Sequence, residues 1–248
     1  MKLIRMRHYI GMLWISSITL TQFALAETPI TVLYSNRPPF MKKQADGTLA
    51  GFAATPAVLA FSKAAIPFEI KEASPAKRLA DVKENKQRVC SIGLYKNAER
   101  EAYARFSDPV SQDGIMIGLA NTKLQVSKSM SVDAILERRD LKVLIKKNIF
   151  YGPFLESKFA KMKAQRIEST AEFAQLIRLI KIERAQLIFL PEEEAMFYLK
   201  EFGYSTSDFN LIHFSEMPAG EFRYIMCSQQ VEESVMAKLN KAIGDIKH

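Results

Sequence analysis

Between residues 30 and 121 the chain switches repeatedly between strand-like and helix-like hydrophobic patterning, and this switching constrains its fold more than any other feature. "ITVLYS" (30–35) is β-branched and apolar and runs into a turn. "TPAVLAFSKAA" (55–65) has helical character, with Thr55 fitting an N-cap and Pro56 the first helical position. "PFEIKEA" predicts a strand, and "SPAKRLADVKEN" predicts a second helix opened by Ser74 and Pro75. "RVCSIGLY" is apolar enough for a strand buried on both faces, and "GIMIGLAN" (114–121) is a further strand. Strands alternating with helices in this way predict a parallel α/β sheet.

The second half repeats the theme. "SVDAILERRD" predicts a short helix capped by Ser131, "LKVLIKK" a strand, and "YGPFLESKFAKMK" a helix after a Gly-Pro break. "QRIEST" and "QLIFLP" read as strands around an amphipathic helix in which Phe173, Leu176, Ile177 and Ile180 recur at helical spacing. "EEEAMFYLKEFG" is a helix with acids in its first turn, where the helix dipole favours them, and Gly203 at its end. "FNLIHFS" and "FRYIMCS" are strands before a terminal amphipathic helix. In the loop after the first strand, Pro38-Pro39 predicts an extended path and Asp46-Gly47 a tight turn. No Gly/Ser-rich linker divides the chain. The expected fold is therefore α/β with two lobes joined by ordered crossing segments: 28–120 with 215–248 as the first lobe, 121–214 as the second.

The N-terminus departs from this pattern. Lys2, Arg5 and Arg7 precede the 12-residue, mostly apolar "YIGMLWISSITL", and Ala24-Leu25-Ala26 forms a small-x-small site. This reads as a secretory signal peptide cut after Ala26, with an apolar run short for a membrane span. The formal net charge of +8 falls to about +5 once those three cations are removed. The remaining basic residues are scattered in pairs such as Lys42-Lys43 and Arg138-Arg139, which argues against a nucleic-acid partner and for an anionic ligand. Export places Cys90 and Cys227 in an oxidising compartment, where they can pair. Two cysteines and three histidines leave almost no basis for a metal site, and no cofactor motif is present.

Tyr34, Arg37 and Phe40 lie at the end of the first strand and in its loop, where α/β sheets present ligand-binding residues. Tyr95 follows the third strand and is expected to face the same region, and Arg78, near the capped start of the second helix, is placed to reach an anion. "NAEREAYARFSDP" (97–109) carries Arg100 among Glu99, Glu101 and Arg105. Read alone, Arg100 is either a ligand-gripping guanidinium or one partner of a surface ion pair.

These stretches resemble the bacterial solute-binding proteins of family 3, two-lobed periplasmic binders best known from amino-acid uptake. Pro38, Pro39 and Phe40, then Gly47, Leu49, Gly51 and Phe52, follow the family's first-lobe pattern. Gly93, Asn97, Arg100, Phe106 and Ser107 follow its second motif, with Asn97 where Thr is usual. "RAQLIFLPEEEAMFYL" and the C-terminal "LNKAIGDIK" match more weakly. Cys90, Gly93, Lys96, Glu99 and Arg100 together resemble a poorly characterised branch.

The resemblance implies a type II periplasmic-binding-protein fold, a monomer whose cleft closes on a small anionic or zwitterionic ligand, and a permease or receptor in the membrane. It assigns Arg100 to the ligand carboxylate and an aromatic, Tyr34 or Phe40, to stacking. It places Phe150 and Tyr151 of "NIFYGP" where relatives open a helix toward the ligand. At Pro191, where amino-acid binders carry an Asp for the ligand ammonium, this chain departs, and Glu192 is the expected substitute. A disulfide between Cys90 and Cys227 would set the third strand beside the returning one. A small-acid dehydratase is the enzymatic alternative, with Glu192 and Glu99 as its acid-base candidates.

Overall fold

The computed structural model describes residues 28–127 and 130–246. The expected signal peptide lies outside the described residues.

Two sheets organise the chain. The first runs Phe68–Glu72, Ile30–Tyr34, Val89–Leu94, Phe222–Ser228, Ala104–Phe106 in spatial order. Its first three strands are parallel, and the returning Phe222–Ser228 is antiparallel to its neighbours. The second runs Gln165–Ser169, Lys142–Lys146, Leu187–Pro191, Met116–Ala120, Asn210–Ile212, again parallel with antiparallel additions.

The pleat divides each strand between two covered faces. Ile30, Val32, Cys90, Ile92 and Ile225 pack under the helices Ala54–Lys63 and Glu233–Ile246, while Leu33, Val89 and Met226 face Val82 of the helix Pro75–Glu84. In the second sheet, Val143, Ile145, Leu187 and Phe189 meet the helices Val132–Leu136 and Pro153–Phe159. Leu144, Ile188 and Leu190 meet Phe173–Lys181 and Glu192–Glu201. Apolar area removed from water on both faces of both sheets drives the assembly.

Local signals set the helix starts. The Ser74 side chain accepts from Lys77 N with Pro75 in the first turn, and the Ser131 side chain accepts from Ala134 N. The first helix differs from expectation: Ala53 is its N-cap, and Thr55 lies inside the first turn with its hydroxyl accepting from Gly51 N at 3.1 Å. Gly51 explains the shift. Its φ is +132°, and a Cβ there would collide with the Phe40 carbonyl, so the preceding loop docks tightly and starts the helix early. That loop is also not extended at Pro38-Pro39. The bond is cis, and Phe40 N and Met41 N both donate to Arg37 O, turning the chain back on itself.

The lobe boundary also differs. Met116–Ala120 belongs to the second sheet, paired with Leu187–Pro191 and Asn210–Ile212, so sheet membership changes after Gln112 rather than at 120. The crossing segments are 113–115 and 213–221, flanked by the paired residues Gln112 and Phe222. They approach closely: a Cβ at Gly220 would overlap the Asp113 and Gly114 carbonyls.

Cys90 and Cys227 stand directly opposite in adjacent antiparallel strands and form a disulfide, with Cα atoms 4.0 Å apart. The bridge spans 137 residues and therefore ties the returning strand to the sheet's centre. A Cys90→Ser, Cys227→Ser double variant is expected to lose about 2–4 kcal/mol of unfolding free energy in denaturant titration. An unchanged midpoint would show that packing alone secures the returning strand.

Candidate functional site

The carboxyl ends of the first sheet's parallel strands face the second lobe, and four arginines gather there. Each is held differently.

Arg37 sits in the turn after the first strand, between Phe40 and Phe173, with its guanidinium carbon 5.4 and 4.5 Å from their ring centroids. Nε and Nη2 donate to Glu194 Oε1 and Oε2 at 2.8 and 2.7 Å. Glu194 projects from the first turn of Glu192–Glu201 in the second lobe and is fully buried. A bidentate fork of this kind is the strongest geometry for a carboxylate, and here it joins the lobes. Burial pushes the Glu194 carboxyl up and Arg37 opposes that rise. Burial works against the charge on Arg37, but Glu194 outweighs it and holds the guanidinium charged.

Arg223, at the start of the returning strand, lies 3.9 Å from the Phe40 centroid and 4.8 Å from that of Tyr95. Nε and Nη2 donate to the two oxygens of Asp113, and Nη1 to Gly93 O at 2.8 Å. The Tyr95 hydroxyl donates to Asp113 as well. Burial, helped by Asp113, raises the Tyr95 phenol well above its usual range and keeps it a donor.

Arg78 is buried with neutral partners alone: Ser91 Oγ at 2.8 Å, Ser35 Oγ at 2.7 Å and the Ile92 carbonyl. Burial, and then Arg223, Arg100 and Arg37, pull it down to about 9, so it stays charged at neutral pH.

Arg100 lies on the short helix Ala98–Glu101, opened by Asn97, whose Oδ1 accepts from Arg100 N at 2.9 Å. Its guanidinium makes one hydrogen bond, from Nη1 to Tyr95 O at 2.6 Å. No carboxylate pairs with it among the described residues. Burial lowers its pKa, against weak support from Tyr103, Glu99 and Glu156. Its guanidinium carbon is 5.8 Å from the Phe150 ring of the second lobe.

Between these groups is a cavity of about 30 Å³, with Arg37, Tyr95, Arg100 and Arg223 on one side and Asn148, Ile149 and Phe150 on the other. It shares Arg100 and residues 148–150 with an outer groove of about 470 Å³ that adds Lys83, Asn97, Glu99, Tyr103 and Glu156. Asn148 at φ +61° and Gly152 at φ +87° bend the chain so that Phe150 is presented here. Another groove, beside Val132–Leu136, carries surface charges and no buried one.

Arg100, Tyr95, Arg37 and Phe150 together line the inner cavity, and Asn97 sits at its outer edge while capping the Arg100 helix. Five placements differ. Tyr34 points into the first core, its hydroxyl reaching Glu72 at 3.1 Å. Phe40 is 1% exposed and packs beneath Arg37 and Arg223 rather than opening to the cleft. Tyr151 belongs to the second core, stacked edge-on to Phe159, and its oxygen accepts from Lys146 N at 2.8 Å. Its own N–H, just before the helix, donates to Glu156 Oε1. Glu192 faces outward to His213 at 3.1 Å, and the acid turned into the cleft is Glu194. The buried face of that helix is Glu194, Ala195, Tyr198 and Leu199. Arg78 lies behind the wall, not on it. Arg223 and Asp113 carried no local signal, since their pairing spans 110 residues.

If the lobes stayed together, Glu194→Ala would strand Arg37 at a cost of about 3–5 kcal/mol. The variant is therefore expected to open, which small-angle scattering reads as a larger radius of gyration. No change in radius or stability would show that the pair does not hold the lobes together.

A family model for "Bacterial extracellular solute-binding proteins, family 3" matches residues 30–248. Among solved structures, the chain is similar to the substrate-binding protein of an amino acid ABC transporter, with a TM-score of 0.68, 18% identity, and coverage of 88% of this chain and 92% of that one. An ancestral arginine-binding protein bound to arginine gives 0.66, 18%, 88% and 92%. A structure from work on glutathione import via GshT and the cystine importer of Streptococcus mutans gives 0.69, 14%, 88% and 90%. No curated protein matches. The architecture is that of the type II periplasmic binding proteins.

Proposed function

Because the chain belongs to the bacterial extracellular solute-binding proteins of family 3, we propose that its cleft captures a small carboxylate-bearing solute by hinge closure. The family is one of binders, not catalysts. Arg100 carries this reading. It is a largely buried guanidinium in the cleft wall that, among the described residues, hydrogen-bonds one carbonyl and no acid, and it faces Phe150 across the gap. A carboxylate placed there gains a bidentate partner and relieves the cost of burying an unpaired charge.

The present space of about 30 Å³ is the size of one water. Entry of a solute therefore requires the lobes to separate about residues 113–115 and 213–221. Opening breaks Arg37–Glu194, and closing on the ligand restores it. Tyr95 fixes Arg100 through its carbonyl, and Phe150 brings an apolar face from the second lobe. Delivery to a membrane permease of the ABC type follows the similar protein described as serving an amino acid ABC transporter, and the signal-like N-terminus suits a periplasmic location.

A thermal-shift screen of small carboxylates is the test, since a ligand binding only the folded state raises the melting temperature. Arg100→Ala is expected to weaken any hit at least about hundredfold, in line with two charged hydrogen bonds lost. Full affinity in the variant would sink the role given to Arg100.

A further inference from the structure

We propose that the ligand is an organic acid without an amino group, so that the site favours a net anion over the matching α-amino acid. This rests on the carboxylate reading above and narrows it.

A buried ammonium is held best by a carboxylate that no other cation neutralises, and the lining of the inner cleft includes none. Glu194 gives both oxygens to Arg37. Asp113 gives both to Arg223, and one of them also accepts from Tyr95. The facing wall is Asn148, Ile149 and Phe150, with no acid. An ammonium entering here would have to share a carboxylate whose charge a buried guanidinium already neutralises, beside that guanidinium's own positive charge.

The charge balance points the same way. Arg37 and Arg223 are each paired with an acid, whereas Arg78 and Arg100 touch none among the described residues, which leaves two guanidiniums by the cavity without a contacting counter-charge, Arg100 having only weak support from Glu99 and Glu156 in the outer groove. Arg78 spends its donors on two hydroxyls and a carbonyl. It therefore acts as a fixed positive field rather than as a ligand contact. That field attracts a carboxylate and repels an ammonium beside it. At the end of Leu187–Pro191, where an acid for the ammonium was expected by resemblance, stands Pro191, and the acid one turn later is the one engaged by Arg37. The carboxylates still partly open to solvent, Glu99 and Glu156, lie in the outer groove.

The test titrates the mature chain with matched pairs by calorimetry: propionate against alanine, succinate against aspartate, glutarate against glutamate. At least one des-amino acid is expected to bind, and at least tenfold tighter than its partner. An amino acid binding as well as or better than its partner overturns the inference. If that binding is lost in Arg100→Ala, the carboxylate reading survives without it. No binding by either member of any pair counts against both.

Discussion

The bidentate pair between Arg37 and Glu194 is the contact on which the arrangement of this molecule depends. It links a loop of the first lobe to the first helical turn of a second-lobe helix, with both partners withdrawn from water. Removing two charges from water costs about as much as their attraction returns, so such a pair is a poor source of net stability. It is a strict source of geometry, because a fork-to-carboxylate contact tolerates little misalignment. Phe173 beneath Arg37 and Glu193 on Gly114 N add second-lobe contacts around the same helix start. The lobes thus have one well-defined way to meet.

The same loop shapes the rest of the site. Phe40 is wedged between Arg37 and Arg223, and Arg223 is flanked in turn by Tyr95. Alternating guanidinium and ring lets like charges lie close, since each ring offers its negative face to the cations beside it. Asp113 and Glu194 supply the counter-charge, and Arg78 and Arg100 are left over. Arg78 has its donors satisfied by neutral groups and lies behind the wall. Arg100 keeps unused donors and borders the cavity, so the excess charge is presented at one point.

How far these features could be read in advance depends on the range of the interactions that make them. The longer strands and the caps at Ser74 and Ser131 follow from residues near in sequence and were legible, whereas Arg100 read alone was ambiguous and only the family resemblance set it in the cleft. Tyr34 and Tyr151 were harder, because an aromatic at a strand end or loop is sent to core or cleft by neighbours from other elements. Glu192, Glu193 and Glu194 look alike in sequence, yet successive positions turn by about 100° around the helix, so they meet His213, Gly114 and Arg37 respectively. Only the docking of the helix decides which one is buried. The Asp113–Arg223 pair depends on two crossing segments lying side by side, and neither residue shows this in its own surroundings.

That pair would also let the cleft move, under the proposed closure, without dissolving. Asp113 and Arg223 lie where the two crossing segments leave the first sheet, and both bond to first-lobe groups, Tyr95 and Gly93. On the proposed hinge closure, rotation of the second lobe about residues 113–115 and 213–221 would leave these contacts in place, break Arg37–Glu194 and move Phe150 away from Arg100. The site would then divide into a fixed half, with Arg78, Arg223, Tyr95 and Arg100 held in register, and a moving half, with Glu194 and Phe150. A solute that first meets the fixed half finds the cations already positioned, so little of its binding energy goes into ordering them. On the proposed closure, the driving energy would come from pairing the solute with Arg100 and burying it against Phe150, while regaining Arg37–Glu194 would set the geometry.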